Sequence, residues 1–168
     1  MKPMLFLAET GRRKTIDVLK REGIGRMFAG GFRSLYDGEQ WGFDNGAFSA
    51  YTQNKPFPED EYRRRLDRLV DFPDPHLAVC PDIVRGGPVS LEFSIQWMEE
   101  LIDYPIPWYL AVQRGMRFDD IAAVSRDFSG IFIGGNTPFA MIPQLQTLGL
   151  PVHVGRCGTR ERLRAAMR

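Results

Sequence analysis

The chain has 168 residues, of which 43% are hydrophobic and 26% charged, so its length and composition fit one globular domain. A formal net charge of +1 excludes nucleic-acid binding through bulk charge, although it leaves room for a local basic patch. Two cysteines and two histidines without zinc-site spacing exclude a disulfide framework and predict no metal. Because no apolar run has the length of a signal-peptide core or a membrane span, we expect a cytoplasmic protein.

The first half of the chain alternates short apolar runs with segments of helical periodicity. In chain order the pattern predicts a strand, a helix, two strands and a helix, at Met4–Ala8, Thr15–Arg21, Arg26–Ala29, Trp41–Asp44 and Pro58–Phe72. Gly23 is the expected C-cap of the first helix, and Gly30-Gly31 closes the second strand. The apolar face of the second helix is predicted to consist of Tyr62, Leu66, Leu69 and Val70.

The second half repeats one strand and one helix four times. The predicted strands are Leu77–Cys80, Trp108–Gln113, Gly130–Ile133 and Val152–Val154. The predicted helices are Leu91–Tyr104, Asp119–Phe128, Pro138–Leu148 and Thr159–Met167. Ser90 is the expected N-cap of the first of these helices, and Pro143 must distort or restart the third.

This alternation predicts right-handed crossovers and a parallel sheet. Seven strands suit a doubly wound sheet or a barrel, and we favour an incomplete (β/α)8, TIM-barrel-like domain over residues 1–168. The eighth strand, expected after Thr159–Met167, is missing, which predicts a chain truncated at its carboxyl terminus. Two unpaired sheet edges further predict a homo-oligomer, a partner chain over the open barrel, or a last helix folded across the gap.

Small polar or glycine motifs follow five of the predicted strands. They are Asp44-Asn45-Gly46, Pro81-Asp82, Gln113-Arg114-Gly115, Gly134-Gly135 and Gly155-Arg156. The carboxyl ends of parallel barrel strands share one rim, where ligands bind and chemistry occurs. Two carboxylates can divide acid/base and recognition roles, and an amide supplies both a donor and an acceptor for a heterocyclic edge. The alternatives are that the two aspartates only stabilise turns, that Gln113 is a structural hydrogen-bonding residue and that the glycine pair is a tight turn.

Other reactive or charged residues have simpler explanations. His153 is expected to be a hydrogen-bonded histidine of the barrel interior, and Cys80 a small core residue. The run Arg63-Arg64-Arg65 is balanced by neighbouring acids and is interpreted as a solvated helix face. The carboxyl-terminal arginines, opposed only by Glu161, are the best candidates for phosphate contact, with a solvated terminal helix as the alternative: Arg156, Arg160, Arg162, Arg164 and Arg168.

At the strand ends the sequence resembles the tRNA-guanine transglycosylase superfamily. The resemblance is closest to the short phage and bacterial relatives linked to deazapurine insertion in DNA, and it runs from about Trp41 to Arg164. Five motifs carry it, in the family's order: Asp44-Asn45-Gly46-Ala47-Phe48, Cys80-Pro81-Asp82-Ile83-Val84, Ala111-Val112-Gln113-Arg114-Gly115, Ile131-Phe132-Ile133-Gly134-Gly135 and His153-Val154-Gly155-Arg156.

The resemblance implies a queuine/guanine tRNA-ribosyltransferase-like protein that exchanges a guanine or 7-deazaguanine base in DNA or tRNA. It implies that Asp44 assists at the base or acts as acid/base, and that Asp82 reads the guanine edge. It further implies that the base is bound by Gln113, with Gly115 in the same motif, and by the backbone of Gly134-Gly135. Such an enzyme would be a pentosyltransferase without a cofactor, and its target nucleotide must leave the base stack.

The sequence departs from the family's pattern in two respects. It lacks the zinc-binding Cys/His cluster, and it stops before the strand whose end carries the family's nucleophilic aspartate. Either a carboxyl-terminal piece is missing, or a partner supplies the nucleophile, or the protein binds without turnover. The competing hypotheses are a non-catalytic base- or nucleic-acid-binding relative and an unrelated barrel enzyme that binds a phosphorylated metabolite.

Overall fold

The computed structural model describes residues 4–29, 35–134 and 139–166. Seven parallel strands form one sheet in sequence order, curled into a half-barrel with helices between the strands. The strands are β1 Phe6–Ala8, β2 Gly25–Phe28, β3 Trp41–Phe43, β4 Leu77–Val79, β5 Trp108–Val112, β6 Gly130–Ile133 and β7 Val152–Val154. The helices are α1 Arg13–Glu22, α2 Ala47–Thr52, α3 Glu59–Asp67, α4 Pro88–Leu101, α5 Phe118–Val124, α6 Ile142–Gln146 and α7 Arg160–Ala166. The predicted incomplete α/β barrel is confirmed.

The two faces of the sheet have separate apolar clusters, because side chains alternate along each strand. The outer face packs on the helices and includes Trp41, Leu110 and Ile131. The concave face has its own small cluster, in which Tyr109 and the ring of Phe132 contact neighbouring strands. The sheet therefore has a helix-covered core outside and a filled interior inside, as expected for a barrel wall.

Glycines make room for the interior side chains. A Cβ atom on Gly130 would collide with the Tyr109 ring, and one on Gly42 would collide with the Met27 sulfur. Large side chains thus alternate with glycines in the narrow interior.

His153 lies in this interior, as predicted, but its contacts are aromatic. Its ring stacks on Phe132, with 5.2 Å between centroids, and meets the edge of Phe6 at 5.6 Å. Burial lowers the pKa of His153 to about 4, so its imidazole is neutral at physiological pH. The predicted interior position is confirmed, and the ring contacts there are with Phe132 and Phe6.

Several predicted boundaries are corrected. The short helix α2, which begins directly after Gly46 at a φ of 80°, has no helical apolar period long enough to be recognised. Helix α4 begins at Pro88 with Gly87 as its N-cap, so Ser90 lies inside the helix, where its hydroxyl accepts from the Ile83 amide at 3.0 Å. Val70 is 80% exposed, because α3 ends at Asp67 and the following 3-10 turn rotates it away from the core.

The glycines and prolines that were predicted to begin, end or interrupt elements have different outcomes. Gly23 is the C-cap of α1 with a φ of 64°, as predicted. Pro143 lies in the first turn of α6, which restarts after a 3-10 turn at Phe139–Met141, so the prediction of an interrupted helix is confirmed. The predicted closure of β2 by Gly30-Gly31 and the predicted helix start at Pro138 lie outside the described residues.

Candidate functional site

Asp82 and Gln113 are joined by a hydrogen bond at the rim, the edge of the sheet formed by the carboxyl ends of the strands. Asp82 follows β4, Gln113 follows β5, and the Gln113 Nε2 donates to Asp82 Oδ2 at 2.5 Å. The Gln113 Oε1 accepts from the Arg85 amide at 3.2 Å, which orients the amide plane. Asp82 is 6% exposed, whereas Gln113 is half-buried. The two side chains that the sequence analysis selected are thus direct neighbours.

Asn45 is the second anchor of Asp82. Its Nδ2 donates to Asp82 Oδ1 at 2.7 Å and to the Cys80 carbonyl at 2.8 Å, and its Oδ1 accepts from the Ala47 amide at 2.9 Å. This buried amide ties the β3–α2 turn to the end of β4. Sequence analysis named Asn45 only as part of a turn motif, because a side chain's bridging partner is set by the tertiary fold.

Asp82 has an unusual acidity because of this environment. Burial, together with the negative charge of Asp44, raises the pKa of Asp82 to about 6 against the opposing effect of the hydrogen bonds from Asn45 and Gln113. A carboxyl group with such a pKa changes protonation near neutral pH, which suits a group that must accept hydrogen bonds or move a proton.

Asp44 lies beside this pair, at the end of β3. Its Oδ1 accepts from the Gly46 amide at 2.8 Å. This oxygen therefore stabilises the turn, as the alternative interpretation of Asp44 predicted. Burial raises its pKa, while the Gly46 hydrogen bond and the positive charge of Arg65 oppose that rise. We refer to Asp44, Asn45, Asp82 and Gln113 as the carboxylate–amide cluster.

Arg65 lies buried beneath the cluster, which corrects the interpretation of Arg63-Arg64-Arg65 as a solvated face. Arg65 is 6% exposed, whereas Arg63 and Arg64 are exposed. The signal was present in the sequence, since Arg65 is three residues after Tyr62 and four before Leu69, on the apolar stripe of the helix.

The predicted glycines of the rim differ in what surrounds them. Gly134 follows β6 directly, and a Cβ atom there would meet nothing within 4 Å, so its backbone is open to an approaching ligand. Gly115 has a φ of 96°, a conformation that requires glycine in the β5–α5 turn. Gly135 lies outside the described residues.

Aromatic rings and arginines meet at the rim, a feature that sequence analysis missed. Phe48 of α2 is 41% exposed, and the Arg156 guanidinium lies 3.8 Å from its ring centroid. The Arg85 guanidinium lies 5.7 Å from the ring of Tyr51, which is 38% exposed. Both arginines have left-handed backbone conformations, with φ of 57° at Arg156 and 65° at Arg85. These cation–π pairs bring segments together that are far apart in sequence.

The predicted phosphate-binding arginines are separated by the fold. Arg156 lies in the β7–α7 loop on the rim, while Arg160 and Arg164 are exposed one turn apart on α7. The Arg162 side chain is directed toward the β7–α7 loop, where its Nη1 donates to the Arg156 carbonyl at 3.3 Å.

The cysteines are not part of a reactive centre. Cys80 is fully buried in the core, as predicted, and burial raises the pKa of its thiol. Burial also raises the pKa of the Cys157 thiol. In the described ranges, no group of three or more His, Cys, Asp and Glu residues is arranged to hold a metal ion. None of the helices in those ranges has both the length and the apolarity needed to cross a membrane.

The fold and the cluster define an incomplete α/β barrel with buried carboxylates and amides at the rim where barrel enzymes hold their ligands. Comparisons with family models, curated proteins and solved structures found no match for this chain.

Proposed function

We propose that the chain binds a guanine or 7-deazaguanine base at the carboxylate–amide cluster and is a tRNA-guanine transglycosylase-like base-exchange protein. The observation that carries this proposal is the hydrogen bond between Asp82 and Gln113, which holds an acceptor and a donor side by side. The five strand-end motifs support it, because their order follows that of the family.

The chemistry of the pair matches the guanine edge. Guanine presents one acceptor, O6, next to two donors, N1–H and N2–H. The second proton of Gln113 Nε2 can bind O6, while ionised Asp82 has lone pairs left for both donors after accepting from Asn45 and Gln113. Adenine has an acceptor at N1, where guanine has a donor, and the lone pair of that nitrogen would face the Asp82 carboxylate. The Asp82–Gln113 pair therefore discriminates against adenine.

Asp44 is proposed to act on the bound base. Exchange breaks the N-glycosidic bond of the outgoing base and forms the same bond to the incoming base, so a ring nitrogen of the outgoing base must gain a proton and the corresponding nitrogen of the incoming base must lose one. A carboxyl group with a raised pKa can carry that proton. The nucleophile that attacks the sugar carbon would come from outside the described residues.

Phe48, one arginine at the rim and two arginines on α7 fit a nucleotide that has left its stack. The exposed Phe48 ring offers a stacking surface beside the cluster, and Arg156, Arg160 and Arg164 offer charges for the flanking phosphates. Because Asp82 is only 6% exposed, a base would reach it only after neighbouring parts of the rim move aside.

Calorimetric titration with guanine and 7-deazaguanine, with adenine as the control ligand, tests this proposal. We expect binding of the first two and loss of at least tenfold in affinity for Asp82→Asn and Gln113→Leu, the cost of unmatched hydrogen bonds. Asp103→Asn and Gln96→Leu, at exposed positions away from the rim, are the matched controls.

Incubation with labelled guanine and either DNA or tRNA separates the two base-binding hypotheses. Incorporation of label identifies an exchange enzyme and its nucleic acid, whereas binding without incorporation identifies a non-catalytic relative. Absence of guanine binding, together with thermal stabilisation by a sugar phosphate, would instead support a barrel enzyme for phosphorylated metabolites.

A further inference from the structure

Arg65 makes an unusual set of contacts for a buried arginine. Its Nη2 donates to the carbonyls of Asp44 at 2.5 Å and Phe28 at 3.3 Å, and its Nη1 donates to the carbonyl of Asn45 at 3.5 Å. Its guanidinium also lies 4.6 Å from the centroid of the Phe43 ring. One side chain from α3 thereby fastens the carboxyl ends of β2 and β3.

Stability alone does not account for this arginine. The other buried arginine of the described chain, Arg26, forms a salt bridge with the buried Glu39. Arg65 has main-chain carbonyls as its hydrogen-bond acceptors, and its buried Nε has no partner. A buried charge without an ion pair is costly, and an apolar residue of similar volume would cost less.

The charges around Arg65 identify what it acts on. Burial lowers the pKa of Arg65, and the negative charge of Asp44 is the largest effect that opposes this, ahead of Tyr62 and Glu61 from α3 and Glu9 after β1. Asp44 in turn interacts with Arg65 and with the like charge of Asp82. Arg65 is therefore a cation placed beside Asp44, whose own negative charge acts on Asp82.

We propose that Arg65 is the positioning residue of the carboxylate–amide cluster: it fixes the main chain of Asp44 and Asn45 against the end of β2 and places a positive charge beside the Asp44 carboxylate. Arginine is required because its planar fork reaches three carbonyls at once, whereas a lysine ammonium has the charge without the fork. The inference rests on the proposed function only in assuming that Asp44 acts on the bound base.

Three variants separate charge, geometry and fold. Arg65→Met removes the charge and keeps an unbranched chain, Arg65→Lys keeps the charge, and Arg64→Met is the matched control on the exposed face of the same helix. The Asp44 carboxyl is titrated by carbon-detected NMR without ligand, and guanine affinity is measured separately.

We expect Arg65→Met to shift the Asp44 titration to higher pH and to weaken guanine binding about tenfold. Arg65→Lys should restore most of the titration but not the affinity, and Arg64→Met should change neither. If Asp44 titrates as in the wild type in a folded Arg65→Met protein, the positioning role is overturned, whether or not guanine affinity changes. If guanine binds to none of the proteins while the titration shifts as expected, the proposed function fails and the role of Arg65 stands.

The wild-type protein gives an independent readout. The guanidinium protons of Arg65 should exchange slowly with water and show NOE contacts to Phe28 and Asp44. Fast exchange would overturn the proposal. So would failure of both Arg65 variants to fold while Arg64→Met folds, since Arg65 would then be a stability residue.

Discussion

At the scale of single residues, Asp82 combines burial with two amide donors. Burial without donors would neutralise a carboxyl group at physiological pH, and donors without burial would keep it strongly acidic. The balance leaves its pKa at about 6. Asp82 is thus ionised but close to its titration point, so its recognition of a base depends on pH.

Guanine binding should weaken as the pH falls through 6. Below that pH Asp82 is protonated and loses the acceptors that N1–H and N2–H need, so we expect affinity at pH 5 to be about tenfold lower than at pH 7. Calorimetry from pH 5 to pH 8 measures this. A flat profile in the wild type would contradict the role of Asp82, whereas a flat, weak profile is expected for Asp82→Asn.

Asn45 should be important for stability as well as for the site. Asn45→Ala removes three hydrogen bonds and leaves the Cys80 carbonyl and one Asp82 oxygen without that donor. We expect a loss of about 1–3 kcal/mol in the free energy of unfolding and a higher Asp82 pKa. Urea denaturation measures the first and NMR titration the second. Gln53→Ala, at an exposed side chain, should change stability by less than about 0.5 kcal/mol.

At the scale of elements, strand β6 begins with one glycine and is followed directly by another, and the two have opposite surroundings. A methyl group on Gly130 would strike the Tyr109 ring, whereas one on Gly134 would meet open space. The first glycine serves the packing of the barrel interior, and the second leaves the rim free.

These two glycines give a paired prediction. Gly130→Ala should lower the free energy of unfolding by about 1–3 kcal/mol through overpacking, without directly affecting the rim. Gly134→Ala should leave stability nearly unchanged and weaken guanine binding, because the methyl group occupies space that a flat base would use. Urea denaturation and calorimetry on both variants test this. Equal guanine affinity in Gly134→Ala and wild type would remove Gly134 from the site.

Helix α7 gives a prediction about nucleic acid. Arg160 and Arg164 are exposed one turn apart, so a strand could contact both. Replacing both by alanine should weaken binding of single-stranded DNA or RNA. The slope of the logarithm of the binding constant against the logarithm of the salt concentration should become less steep by about one to two. Fluorescence anisotropy at several salt concentrations measures the slope. Arg63→Ala with Arg64→Ala, on the exposed side of α3, is the control pair, and an equal loss there would indicate non-specific attraction.

At the scale of the whole molecule, the half-barrel leaves β1 and β7 as sheet edges. The strand order ends at these two strands, and the interior rings of Phe6 in β1 and His153 in β7 lie 5.6 Å apart. On the outer face of β1, Leu5 is 43% exposed and Leu7 is 45% exposed. Unpaired edges with exposed apolar side chains favour association with another chain.

We therefore predict concentration-dependent self-association. Sedimentation velocity should show a dimer or larger species that Leu7→Lys shifts to monomer, because the charge disfavours edge contact. Val70→Lys, at a side chain 80% exposed on another surface, should leave the distribution unchanged. A wild-type monomer at all concentrations would contradict the prediction.

The sequence by itself determined the order of the seven strands and of the helices other than the short α2, the parallel sheet, and the placement of Asp44, Asp82, Gln113 and Gly134 at one edge. These features follow from local periodicity and from a general rule, that parallel strands end on the same side of the sheet. Only the tertiary structure decided that Asn45 is bound to Asp82, that Arg156 lies on Phe48, and which main-chain carbonyls accept hydrogen bonds from Arg65. Those contacts join elements far apart in the chain, and they depend on how each helix packs against the sheet, which no local pattern encodes.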